Sequence, residues 1–254
     1  MTVNISLAII GGSGFYQPGM LQDPRTEEID TPFGKACVII GSLGNKEVAF
    51  LARHGVGHSL LPHQLNYRAN IWGLHRLGVK RIFATSAVGG IAPQLAPGSI
   101  VVIDQFLDFT KQRPLTFFED GEIHKAHVDV SHPYCSGLRE LLKNSAEKHH
   151  IPIHLGGCYV CAEGPRYETA AEIQMYKMVG GSVVGMTGVP EVVLARELGI
   201  CFANISTVTN WAAGISPTPL AHAEVIEVMN KNQEKLRTLL TECLNSDDIE
   251  KCGC

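Results

Sequence analysis

No stretch of the chain reaches eighteen uninterrupted apolar residues, so a helical membrane span is not expected. The opening MTVNISLAIIGG lacks both a basic segment and an apolar run long enough for a secretory signal, and a soluble, cytoplasmic protein is the expectation. Basic runs that could track a phosphate backbone are missing too. With 21 Lys and Arg against 25 Asp and Glu, the formal charge is -4, and nucleic acid is not an expected partner. There is no internal repeat, low-complexity tract or linker, so 254 residues with 45% apolar content read as one domain spanning 1–254. Cysteine is plentiful at eight, but it is spread through a large apolar domain rather than framing a small secreted one, and most positions read as small buried hydrophobes. Cys158-x-x-Cys161 has zinc-ligand spacing without the second pair that a structural site needs, so no metal is expected. Cys252-Gly253-Cys254 fits either a local disulfide or two free thiols.

Short apolar runs bounded by Gly and Pro predict strands at Leu7–Ile10, Ala36–Ile40, Val48–Ala52, Arg81–Ala84, Ile100–Ile103, Ser182–Gly185 and Cys201–Val208. Helical stretches alternate with them at Pro62–Leu77, Pro133–His149, Ala170–Val179, Pro190–Leu198 and Pro219–Leu244, several closed by a glycine. That alternation predicts an α/β fold of three layers, a central sheet with helices on both faces and ligand-binding loops at strand ends.

Four strand ends carry polar chemistry. Gly11-Gly12-Ser13-Gly14-Phe15 follows the first strand, where glycines admit close backbone approach and Ser13 adds a hydroxyl, an anion cradle or a plain turn. It is not a dinucleotide fingerprint, because Gln17 stands where the third glycine belongs. Arg53-His54-Gly55 ends another strand, and a guanidinium fork beside an imidazole suits an oxyanion. Thr85-Ser86-Ala87-Val88-Gly89-Gly90 and Gly185-Met186-Thr187-Gly188 supply further hydroxyls. Each alone is an ordinary polar strand end.

Taken in order, GGSGFY, RHG, TSAVGG, GPRYET, GMTGVPEVVLAREL and TNWA resemble the trimeric purine nucleoside phosphorylase and methylthioadenosine phosphorylase family over nearly the whole chain. The resemblance implies a mixed twisted sheet flanked by helices, a homotrimer or dimer of trimers, and small-molecule nucleoside and inorganic phosphate as substrates without a cofactor. It also implies phosphate binding by Ser13, Arg53, His54, Ser86, the Ala87 backbone and Thr187, with Met186 on the ribose face and His127 near the sugar.

The residues reading the purine edge divide the family. Where the methylthioadenosine branch carries two aspartates, TNWA has Asn210 and Ala212. An asparagine amide donates to O6 and accepts from N7-H, which suits hypoxanthine or guanine. Glu168 in GPRYET falls where the 6-oxopurine branch has a carboxylate for N1-H, and His222 resembles the histidine that binds a 5'-hydroxyl. The implied reaction is phosphorolysis of inosine and guanosine, with Asn210 and Glu168 as catalytic residues. Methylthioinosine and methylthioadenosine are the alternative substrates. A non-catalytic nucleotide-binding module would not release base when phosphate is supplied. A nucleoside hydrolase would act without phosphate and carry an Asp-rich calcium motif, which this sequence does not have.

Overall fold

The computed structural model describes residues 5–15, 20–55, 57–119, 127–216 and 222–251. In chain order its strands are β1 (Leu7–Gly11), β2 (Gln22–Thr31), β3 (Gly34–Leu43), β4 (Lys46–Ala52), β5 (Arg81–Gly90), β6 (Ile100–Val102), β7 (Gln105–Phe109), β8 (His154–Leu155), β9 (Cys158–Ala162), β10 (Val183–Gly185) and β11 (Cys201–Trp211). The helices are α1 (Tyr67–Arg76), α2 (Ser136–Lys148), α3 (Ala170–Met178), α4 (Gly188–Glu197) and α5 (His222–Asn245).

The strands form one mixed sheet in the order β2-β3-β4-β1-β5-β10-β9-β7, with β11 on β5, β6 on β11 and β8 on β6. Its centre is parallel, β1 pairing with β4 and β5, and β5 with β11. Every residue of β1 is buried, as expected for a strand covered on both faces. Its side chains alternate between two cores. Leu7 and Ile9 pack with Leu138 and Leu142 of α2 and Leu236 and Leu240 of α5, while Ala8 and Ile10 pack with Ile71 and Leu74 of α1 and Val192 of α4. Burying each large aliphatic side chain contributes about 1.5–3 kcal/mol, so the alternation itself anchors helices to both faces and makes the three layers.

Several expected boundaries move. The strands expected at Arg81–Ala84 and Cys201–Val208 run on to Gly90 and Trp211, so Thr85–Gly90, expected at a strand end, lies inside β5. The helix expected from Pro62 begins at Tyr67, because the Asn66 side chain accepts from the Ala69 N-H at 3.0 Å and caps it there, leaving Pro62–Gln64 as a single 3-10 turn. The helix expected from Pro133 begins at Ser136, with Cys135 Sγ accepting from the Leu138 N-H. The start expected at Pro219 falls outside the described residues, as do Cys252-Gly253-Cys254.

Four strands, β2, β7, β8 and β9, were not among those expected. β2 is charged and mostly exposed, and it owes its conformation to antiparallel pairing along β3. β7, β8 and β9 complete the other side of the sheet. Cys158 and Cys161 lie three apart on β9, so their side chains leave opposite faces. Cys161 is buried and its thiol donates to the Val189 carbonyl, whereas Cys158 is half-buried.

The feature that makes room for a site is a split along one edge of β5. β1 pairs only as far as Ala84, and β10 joins antiparallel at Gly89 and Gly90. Between them the edge from Thr85 to Val88 faces a cavity.

Candidate active site

Five strand ends converge on that gap in β5. From β1 comes the turn at Gly12–Phe15, closed by the Phe15 N-H on the Gly12 carbonyl at 3.0 Å. Gly12 is obligatory here, since a Cβ would stand 2.4 Å from the Thr85 carbonyl oxygen and 2.6 Å from Nη1 of Arg53. The Arg53 N-H donates to the Gly11 carbonyl at 3.1 Å, which brings the end of β4 against the end of β1. β5 contributes Ser86 and Ala87, β10 leads into Met186 and Thr187, β9 leads into the Pro165–Glu168 loop, and β11 brings Asn210 and Ala212.

One cavity is therefore lined by Ser13, Arg53, His54, Ser86, Ala87, Thr187, Met186, Glu168, Asn210 and Ala212 together. Two expected site residues are not among the described residues that line it. His127 is exposed in the connection between β7 and α2 and does not line the cavity. His222 opens α5, and its side chain lies outside the described part of the structure.

Arg53 is the most constrained cation of the site. It is 2% exposed, and its Nε and Nη2 donate to the two carboxylate oxygens of Glu191 at 2.6 and 2.8 Å while Nη1 donates to the Thr85 carbonyl at 2.7 Å. Burial alone would weaken its proton affinity, but the Glu191 carboxylate outweighs that and holds the guanidinium charged. Only the remaining N-H groups of the fork are left for an anion.

The hydroxyls are positioned in the same way. Ser206 Oγ donates to Asn204 Oδ1 at 2.7 Å, and Asn204 Nδ2 donates to Ser86 Oγ at 3.0 Å, so an acceptor position on Ser86 is filled and its own proton is free to be given to a ligand. Thr85 Oγ1 accepts from the Gly12 N-H at 3.0 Å, tying β5 to the glycine turn. The Thr85 carbonyl points into the split edge toward Arg53, so the Ala87 N-H, two residues on, is directed to the same side. Thr187 sits at the start of α4, where Tyr159 accepts from the Thr187 and Gly188 N-H groups at 3.3 Å each.

At the opposite end, β11 carries a bulge against β5 between Val208 and Asn210. Asn210 Nδ2 donates to the Trp211 carbonyl at 2.9 Å, and since a carbonyl only accepts, this fixes which end of the amide is nitrogen. Its Oδ1 accepts from Thr209 Oγ1 at 2.8 Å. One N-H and one oxygen lone pair remain for a ligand. Glu168 is half-buried, and burial raises its carboxyl above the ordinary value. The nearby Arg166 is spent on Glu172 through two 2.8 Å contacts.

Several residues that hold this arrangement were not singled out from the sequence. Glu191 had a signal, a lone carboxylate inside the apolar run VPEVVLA. Asn204 and Tyr159 had none beyond a polar group in a buried strand. Arg113 had none at all, yet it is a buried hub. Its Nη1 donates to the carbonyls of Met186 at 2.5 Å and Val189 at 2.9 Å, and Nη2 to the carbonyl of Glu163 at 2.7 Å. It thus ties the loop after β9 to the loop after β10, and its guanidinium lies 5.2 Å over the ring of Tyr67. Arg113→Ala is expected to raise KM by about tenfold for a ligand held by Glu168 and Met186, and less for an anion held by Arg53, because Glu168 and Met186 lose a common anchor while Arg53 keeps Glu191. Steady-state kinetics with each substrate varied in turn measures that split.

A family model described as the phosphorylase superfamily matches residues 6–245. The chain is 49% identical to the 6-oxopurine nucleoside phosphorylase of Pyrococcus furiosus, covering 98% of this chain and 96% of that protein. It is 50% identical to a probable 6-oxopurine nucleoside phosphorylase of Moorella thermoacetica, over 94% and 92% of the two chains. Among solved structures, methylthioadenosine phosphorylase from Schistosoma mansoni in complex with adenine superposes with a TM-score of 0.88 at 32% identity, covering 95% of this chain and 91% of that one.

Proposed function

Since the chain belongs to the phosphorylase superfamily, we propose that it cleaves 6-oxopurine nucleosides, inosine and guanosine, with inorganic phosphate to give free base and ribose 1-phosphate. The observation that carries this reading is the pairing of Asn210, its amide orientation fixed by the Trp211 carbonyl, with the half-buried carboxyl of Glu168 in one cavity. Asparagine can give N-H to O6 and take N7-H, and an ionised Glu168 can take N1-H, whereas the N1 of adenine has no proton to offer.

Phosphate would be held by Ser13, Arg53, His54, Ser86, Ala87 and Thr187 on the anomeric side, and would attack as the glycosidic bond stretches. Positioning of the nucleophile and hydrogen bonds to the purine as it gains negative charge account for the catalysis. The reaction so written needs no metal or organic cofactor. The test is kcat/KM for phosphorolysis of inosine, guanosine, adenosine, methylthioinosine and methylthioadenosine at matched phosphate concentration. Inosine and guanosine are expected to lead. A lead by methylthioinosine would revise only the sugar end, and a lead by methylthioadenosine would overturn the base reading.

Glu168 must be ionised to accept from N1-H, and its pKa is raised by burial, so kcat/KM for inosine is expected to fall on acidification at a higher pH than an ordinary carboxyl would dictate. In Glu168→Gln that acid limb disappears and the plateau drops. A pH profile unchanged by the substitution would remove Glu168 from base recognition.

Among the described residues no helix is long and apolar enough to cross a membrane, and a cytoplasmic location is part of the proposal. So is a homotrimer or dimer of trimers. The end of α3 presents Met178 at 80% and Val179 at 52% exposure, apolar surface of the kind that subunit contacts cover. Light scattering on the purified protein measures the assembly.

A further inference from the structure

His54 differs from every other group assigned to phosphate. Ser13, Ser86, Thr187, the Ala87 N-H and Arg53 can all donate. The Nδ1 of His54 lies 2.8 Å from the Leu60 carbonyl, which can only accept, so Nδ1 carries the proton. The Leu60 N-H returns to the His54 carbonyl at 3.0 Å, and the His58 ring stacks on His54 at 4.4 Å, so the ring is held in that orientation from two sides. A neutral imidazole has one N-H, and here it is used. Nε2, which has no hydrogen-bond partner among the described residues, is then a bare lone pair on a side chain that lines the anion end of the cavity.

A second proton on this ring is opposed from several directions. His54 is 4% exposed, Arg53 adjoins it in the chain, and His58 covers its face. The carboxylate of Glu191, on α4, spends both oxygens on Arg53. Glu168 lines the same cavity from the loop after β9. Burial, then the Arg53 charge, pushes the imidazole down to about 4.

We infer that His54 meets the attacking anion as a hydrogen-bond acceptor, so that the site selects oxyanions that still carry a proton, hydrogenphosphate and hydrogenarsenate, over the fully deprotonated sulfate. The inference rests on the reading of this cavity as a phosphate site. Hydrogenphosphate brings its own P-O-H to the Nε2 lone pair and binds without change of protonation. Sulfate presents only lone pairs, so it must either face Nε2 unpaired or wait for the ring to take a proton from solvent.

Titration calorimetry of the intact protein with sodium phosphate, arsenate and sulfate, without nucleoside and in buffers of differing ionisation enthalpy, tests this. At about pH 8, phosphate and arsenate are expected to bind with no proton uptake. Sulfate is expected to bind at least about tenfold more weakly, and to gain up to about tenfold per unit as pH falls toward about 6, taking up one proton. His54→Gln, whose side chain offers both N-H and C=O, is expected to narrow the phosphate-over-sulfate ratio and abolish the uptake. Sulfate binding as tightly as phosphate at pH 8 without proton uptake overturns the inference, and so does an unchanged ratio in the variant. The parent protein alone carries the test if the variant does not fold. The expected anion pattern in a protein that does not cleave inosine sinks the functional reading and leaves this one standing. Failure to bind any of the three anions sinks both.

Discussion

Glu191→Ala is expected to lower folding stability by about 3–5 kcal/mol and to cut phosphorolysis by at least about a hundredfold. Glu191 is 2% exposed and supplies both oxygens to Arg53, itself 2% exposed, at 2.6 and 2.8 Å. A buried ion pair is not in itself strong evidence of stabilisation, because desolvating both charges offsets most of their attraction. Removing one member is different. The guanidinium would remain buried with only the Thr85 carbonyl as a counterweight, and it would have to reorient or draw in water. Either response displaces the group expected to grip phosphate, so phosphate KM should rise along with the loss of turnover. Glu191→Gln keeps the volume and one acceptor, and should fall between parent and alanine in both respects. Urea unfolding gives the stability change and phosphate-dependent kinetics the functional one. A variant as stable as the parent, with unaltered phosphate KM, would show that Arg53 does not depend on Glu191.

Asn210→Ala is expected to act on the chemistry rather than the fold. Losing one hydrogen bond to the purine in a largely desolvated pocket should cost about 2–4 kcal/mol of transition-state stabilisation, or roughly 30- to 1000-fold in kcat/KM for inosine. The side chain is only half-buried, and its internal partners are the adjacent Thr209 and Trp211, so stability should change little. Phosphate KM should also hold, since the groups expected to bind phosphate are supported independently by Glu191, Asn204 and Tyr159. An effect under about threefold on inosine would mean that Asn210 does not read the base.

These two residues also show how far each level of description reaches. Asn210 could be picked from the sequence because TNWA follows the apolar run Cys201–Val208 and replaces an acidic pattern in a recognisable family. The bulge beside Val208 and the Trp211 carbonyl, which orient its amide, leave no trace in local sequence. Glu191 was legible only as an oddity, a carboxylate in an apolar helix, because its partner is 138 positions away. Arg113 was illegible, since its partners are backbone carbonyls and carbonyls have no residue type.

The same division holds for the fold. β1 and β11 are buried almost end to end because both their faces are covered, and the unbroken apolar run of β1 announces itself. β2 is charged and exposed, and becomes a strand only because β3 offers it a ladder. The helix start at Tyr67 rather than Pro62 was settled by one capping bond from Asn66.

The alternation of apolar strands and amphipathic helices, the glycines and hydroxyls around strand ends, and through them the family, follow from residue type and short spacing. The tertiary structure alone decided the split edge of β5, the ion pair behind Arg53, the tautomer of His54 and the aim of Asn210. Each of these is set by a partner distant in the chain, by a bulge, or by a backbone atom that every residue shares.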